Sequence, residues 1–252
     1  MGSMQIKINK LANNIVTEGF RIAEKKEVTI TDIHPILLNK SLKYPEQVYT
    51  HFIGAVDLDS SFFEQGVSID LFHIPQNLLG VECSRTHVYT SENFNCKWAS
   101  IVEVVKGSIA VILQKNATDD EISPLKVVAD IKIIQLRTGE KLAIPSGYMY
   151  SFVNIGEGDS YFYIMSRGLE VIDYETIKRE KGLAVFIISK NSKIEVAANP
   201  KYKIHEYPQL ITLEELKEDD DHASFFPSYL ANTSLFAILK ENTEFLQEYL
   251  AE

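Results

Sequence analysis

The sequence predicts an all-β fold, a closed antiparallel jelly roll with an N-terminal arm and C-terminal helices. Three observations predict it. From Gln47 to about Val196 the chain breaks into seven or more short β-rich runs, among them "VYTHFIGAV", "VSIDLFHI", "ASIVEVV", "SIAVILQ" and "SYFYIMS". Val, Ile, Tyr and Phe suit a pleated, half-buried surface, and many short strands at such spacing make a sandwich or barrel. Turn residues punctuate the runs: Gly107 and Gly139 fall where turns are needed, and Pro145 begins a bend. With 252 residues, 45% of them hydrophobic, the chain can supply a sizeable core, in one large β domain with additions or in two small domains.

Taken in order, residues 1–45 read as the arm. They begin with the tag-like remnant Met1-Gly2-Ser3 and carry "EVTITDI" and a helical piece "PILLNKSL". Residues 46–204 hold the β runs and form the barrel domain. Residues 205–252 change texture. Thr212 and Glu215 have the spacing of a capping box at a helix start, and Leu235, Ile238, Leu239, Leu246, Tyr249 and Leu250 make a helical stripe suited to packing on the barrel or on a second subunit. The acidic run Glu218 to Asp221 reads as a solvated turn, because consecutive carboxylates do not converge on one ion unaided.

A net charge of -10 argues against nucleic acid or a membrane surface as partner, since both need clustered Lys and Arg. No apolar run approaches the roughly 20 residues of a membrane helix. The start of the chain lacks an apolar signal, and only Cys83 and Cys96 occur, so a reducing cytoplasm is the expected home. Neither cysteine is marked as a nucleophile. The expected partners are a small molecule and a second copy of the chain, as a homodimer.

The chemistry is carried by "GEKLAIPSGYMYSFVN", Gly139 to Asn154. Its Gly, Pro, Gly and Asn spacings resemble the second signature motif of the cupin superfamily, which implies a double-stranded β-helix. The upstream segment "SRTHVYTSENFNCKWASIVEVVKGSIAVILQ", Ser84 to Gln114, resembles the first cupin motif of the archaeal-type glucose-6-phosphate isomerase family. "EQVYTHF" resembles the strand that opens that family's barrel, and "DYETIKREKGLAVFIISKNSKIEVAANPKYK" its closing strands. The likeness runs in order over residues 45 to 203, which is more specific than one motif.

That resemblance implies a divalent metal held by two histidines, a glutamate and a further histidine. Here the corresponding positions are His87, Tyr89, Ser100 and Tyr150. One imidazole with phenols and a hydroxyl holds a transition metal poorly, so no cofactor is expected. A divalent metal enters only if the site is rewired, with His51, His73 and His87 as the alternative set. Glu103, three residues beyond Ser100 on one strand, is expected to point away from the interior.

For the substrate, the resemblance implies sugar-phosphate contacts from Tyr49, Ser84 and Thr86, with Tyr89 and Tyr150 facing the same space. Tyr174 matches a tyrosine near the reacting end of the sugar, while Ile172 replaces the family's histidine. His87 and Tyr174 are therefore the catalytic candidates. Arg85, out of phase with Ser84 and Thr86, is expected at the surface. The sequence thus points to a cupin that binds glucose 6-phosphate or fructose 6-phosphate with isomerase activity weak or lost. An active isomerase with a rewired or metal-free site, and a different cupin activity, stand as alternatives.

Overall fold

Each β-rich run becomes a strand in the computed structural model, which describes residues 6–9, 14–17, 23–54, 68–90, 98–117, 126–166, 170–171, 174–217 and 225. The principal strands are β1 (Glu24–Thr29), β2 (Gln47–Ile53), β3 (Ser68–Ile74), β4 (Trp98–Lys106), β5 (Ser108–Asn116), β6 (Lys126–Arg137), β7 (Lys141–Pro145), β8 (Met149–Asn154), β9 (Ser160–Ser166), β10 (Val185–Lys190) and β11 (Lys193–Ala198). One antiparallel sheet has the order β7-β4-β9-β3-β2-β1. A second runs from Glu170–Val171 through Tyr89–Thr90, β8 and β5 to β6. A smaller sheet pairs β11 and β10 with the hairpin Leu78–Leu79/Glu82–Cys83.

The two large sheets close over an aromatic centre. Phe72 of β3 and Phe162 of β9 stack at 5.2 Å, and Phe162 meets Phe152 of β8, from the second sheet, at 4.8 Å. All three rings are fully buried. Such offset and stacked pairs add to the area term, and each buried Phe is worth about 1.5–3 kcal/mol relative to exposure.

Gly107 makes the β4–β5 turn at φ +93°, a conformation that favours glycine. Pro145 ends β7, and Gly147 carries the chain through the turn into β8, which bears Tyr150. Thr212 and Glu215 form the expected capping box at the helix Leu213–Lys217: the Glu215 carboxylate accepts from the Thr212 main-chain N–H at 2.6 Å. The strand Leu210–Thr212 before it pairs in parallel with β6.

Three expectations meet corrections or limits. The arm's helix is not "PILLNKSL" but Ile30–Ile33, capped by Thr29 and Asp32, followed by a short 3-10 turn His34–Ile36. Pro35 offers no N–H to continue the α-helical ladder, and after the 3-10 turn the chain leaves helical geometry at Leu37, which is extended. The segment "DYETIKRE", expected among closing strands, begins a helix at Tyr174–Glu180. The apolar stripe Leu235 to Leu250 and the acidic run lie outside the described residues. No helix among the described residues is long and apolar enough to cross a membrane.

Candidate functional site

Four of the sequence-predicted positions meet inside the barrel from different strands. Tyr49 comes from β2, Tyr89 from the Tyr89–Thr90 strand, Ser100 from β4 and Tyr150 from β8. Tyr89 and Tyr150 are cross-strand partners, with ring centroids 6.2 Å apart. Each hydroxyl has a side-chain partner inside the barrel. Tyr49 Oη lies 2.5 Å from His87 Nδ1 and 3.0 Å from Tyr89 Oη, while Ser100 Oγ lies 2.7 Å from Tyr150 Oη. Tyr49, Tyr89, Ser100 and Tyr150 are all buried.

Electrostatics follow from that burial. A phenolate has no compensating cation here, so burial pushes the Tyr89 and Tyr150 phenols well above the usual range and keeps both neutral. His87 is driven the opposite way, down to about 4, first by burial and then by the Lys26 charge, against an opposing pull from Asp32. The ring is also hydrogen-bonded to the main chain of Asp32, which lies in the arm's Ile30–Ile33 helix. The arm therefore covers the face of the barrel where His87 sits, and His87 is a neutral imidazole engaged by both Tyr49 and Asp32.

Ser84 and Thr86 are fully buried and use their hydroxyls internally. Ser84 Oγ donates to the Val48 carbonyl at 3.1 Å, and Thr86 Oγ1 donates to the His87 carbonyl at 2.8 Å while accepting from the Phe152 N–H. Tyr174 opens the helix Tyr174–Glu180. Ile172 lies outside the described residues.

The expectation for Arg85 is overturned. It is 1% exposed and donates from Nη1 to Glu82 Oε1 at 3.2 Å, and that carboxylate also accepts from the Leu38 N–H at 3.0 Å. Alternation of faces fails because residues 84–88 are not a regular strand; Arg85 makes only an isolated bridge to Val153. Burial raises the Glu82 carboxyl and Arg85 opposes that rise. Cys83, next to Glu82, is pushed up to about 11 by burial and by that carboxylate, which leaves it a poor nucleophile.

Nor does the structure gather the alternative histidine set. His73 leaves β3 on the opposite face from Phe72, stacks on Tyr161 at 4.4 Å and pairs with Asp159 at 2.9 Å. Glu103 on β4 lies 4.0 Å from Lys141, out of phase with Ser100. His51 faces inward, stacked on Phe72 at 4.1 Å, and its Nε2 lies 2.8 Å from Asp70 Oδ2. Asp70, bonded to His51, is an inward-facing residue that the sequence reading did not single out. Its signal was available: it lies on β3 two residues from Phe72, hence on the same inward face.

Two facing antiparallel sheets closed around an aromatic interior, with the glycine turns and the β8 strand placed as described, define a cupin. The chain belongs to the glucose-6-phosphate isomerase family, whose model, described as Glucose-6-phosphate isomerase (GPI), matches residues 47–204. Among solved structures the chain is similar to an oxalate oxidase, at 17% identity over 49% of this chain and 55% of that one, with a TM-score of 0.34. It is likewise similar to pumpkin seed globulin, at 13% identity over 59% and 32%, TM-score 0.36. A third likeness is the Drosophila melanogaster CENP-C cupin domain, at 10% identity over 46% and 67%, TM-score 0.30. The chain spans about half the length of the oxalate oxidase chains it matches. A comparison with curated proteins gave no match.

Proposed function

We propose that this chain is a cupin of the glucose-6-phosphate isomerase family that binds a sugar phosphate, such as glucose 6-phosphate or fructose 6-phosphate, without a metal and with isomerase activity weak or lost. One observation carries the reading. The side chains at the four metal-ligand positions are one imidazole and three hydroxyls, and these are hydrogen-bonded among themselves and to Tyr49. A divalent transition metal needs several imidazole or carboxylate donors converging with free lone pairs. Neutral phenols and a serine hydroxyl do not fit that ion, and ionising a phenol here would cost more than it does in water.

The catalytic argument points the same way. Moving a proton between the first two carbons of a sugar phosphate needs a base whose pKa lies near working pH and a group to stabilise the enediolate. His87 is neutral but, held near 4, too weak a base for efficient proton abstraction. Tyr89 and Tyr150 can donate hydrogen bonds but cannot serve as bases at pH 7. What supports sugar-phosphate binding is the family membership together with the hydroxyl-rich interior around Tyr49 and His87. Ser84 and Thr86 already donate their hydroxyls to main-chain carbonyls, so they contribute less to this support.

Metal analysis of protein purified without chelator, followed by an assay coupling fructose 6-phosphate conversion to a dehydrogenase, tests the proposal. Substoichiometric metal and negligible turnover are expected, with calorimetric binding of the sugar phosphate. Stoichiometric metal with turnover would overturn it. Titration with manganese or zinc sharpens the test: the Tyr89→His/Ser100→Glu/Tyr150→His variant should bind orders of magnitude more tightly than wild type, because imidazole and carboxylate donors then converge on one point. Equal, tight binding by both would show that the residues now present already make a site.

A further inference from the structure

We propose that His51, oriented by Asp70, is the polar anchor of the ligand in this barrel, accepting a hydrogen bond from a hydroxyl of a small polyhydroxylated molecule, with the Ser166 hydroxyl as a second contact. The proposal rests on the reading that the barrel binds a small ligand and assigns where it is held.

The orientation of His51 is fixed twice. Its ring stacks on Phe72 at 4.1 Å and 17°, and Phe72 is itself clamped against Phe162 at 5.2 Å. Rotation about that stack is set by Asp70, whose Oδ2 takes the Nε2 edge at 2.8 Å while its Oδ1 accepts from the Gly54 N–H at 2.9 Å. A carboxylate only accepts, so the proton of neutral His51 sits on Nε2 and the lone pair is left on Nδ1. Nδ1 has no partner among the described residues and is not one of the buried orphan atoms. A fixed imidazole presenting a free acceptor lone pair is suited to a hydroxyl or N–H donor. His87 contrasts with it, since its Nδ1 already meets Tyr49 and its ring is bonded to Asp32.

Ser166 supplies the independent observation. Its Oγ is buried, at 1% residue exposure, and has no hydrogen-bond partner among the described residues. An unpartnered buried hydroxyl is unfavourable, and a ligand or water relieves it by bonding to it. The register places it on the same inward wall, beside Asp70. Ser166 is opposite Ser68 on β3 and opposite Ser100 on β4, and Ile164, two residues back, is opposite Asp70. Directly opposed residues share a face, so Ser166 and Asp70 are neighbours on the inward side, next to the Ser100–Tyr150 pair. These groups lie toward the end of the barrel where β2 and β9 finish and β3 begins, two residues along β2 from Tyr49. They lend the ligand one acceptor and, across Asp70 from it, one hydroxyl that can donate or accept, which suits separated hydroxyls of one polyhydroxylated molecule.

The test is nitrogen NMR of the histidine rings in the full-length wild-type protein, with glucose 6-phosphate, fructose 6-phosphate, glucose and fructose as probes and calorimetry alongside. In free protein His51 should show the Nε2–H tautomer with an unbonded Nδ1. A binding probe should shift the Nδ1 resonance of His51 and leave those of His73 and His34 in place. Asp70→Asn should scramble the tautomer and weaken binding at least tenfold. Ser166→Ala, a milder change, should weaken it several-fold without altering the tautomer. Heat of binding from a sugar phosphate with no change at His51 would overturn this proposal and leave the proposed function standing. A shift at His51 with glucose or fructose but none with either phosphate would support it and overturn the sugar-phosphate reading. Silence from every probe would sink both.

Discussion

His87 is buried against its own ionisation, and its effect on stability depends on pH. In the unfolded chain it takes up a proton near 6.5, in the folded protein only near about 4. Between those values the unfolded state binds more protons, so the contribution of His87 to stability is complete above about 6.5 and is lost as pH falls toward 4. At 1.36 kcal/mol per unit, the full loss is on the order of 3 kcal/mol. Denaturant unfolding across pH 4 to 7 should show this decline, and His87→Phe should flatten it. An unchanged profile in that variant would mean that other groups dominate. Arg85 and Glu82 are the second residue-scale test. Arg85→Ala leaves a carboxylate buried without its partner, and destabilisation of about 3–5 kcal/mol is expected. Replacing both, as Glu82→Leu with Arg85→Met, should recover most of that loss.

At the scale of elements, the β4–β5 turn shows why a loop residue can matter as much as a core residue. A Cβ on Gly107 would meet Ser160 Oγ at 2.6 Å and the Asp159 carbonyl at 3.0 Å, at φ +93°. Gly139 has a similar φ of +87° with nothing within 4 Å. Both Gly→Ala variants should be destabilised by the backbone conformation, about 1–3 kcal/mol, and Gly107→Ala further by the clash. Thermal melts of the two variants measure the difference, and equal melting temperatures would remove the steric argument. The arm's helix works by an analogous local rule: Thr29 and Asp32 cap each other's main chain, and Pro35 then stops the helix. That short helix is what brings the Asp32 main chain to His87.

For the whole molecule, the arm and the barrel form one core. Val28, Ile30, Ile33 and Ile36 belong to the same buried cluster as Tyr49, Phe72, Tyr89 and Tyr150. Deleting residues 1–33 removes three of those apolar side chains, uncovers the edge of β2 and frees His87 from Asp32 and Lys26. The truncated protein should lose several kcal/mol of stability, from about 1.5–3 kcal/mol per buried side chain, and the pKa of His87 should rise toward 6.5. NMR titration of His87 measures this; a pKa still near 4 would show that the barrel alone buries the ring. The sequence by itself determined the barrel, its turns at Gly107 and Gly139, and the family. Those features are local, set by strand period, turn chemistry and motif spacing. Tertiary structure alone decided that Arg85 is buried, that His73 and His51 diverge, that Asp70 orients His51 and that the arm closes over His87. Each of these depends on which strands are neighbours and in what register, and one residue's offset in register exchanges the inside of a sheet for its outside.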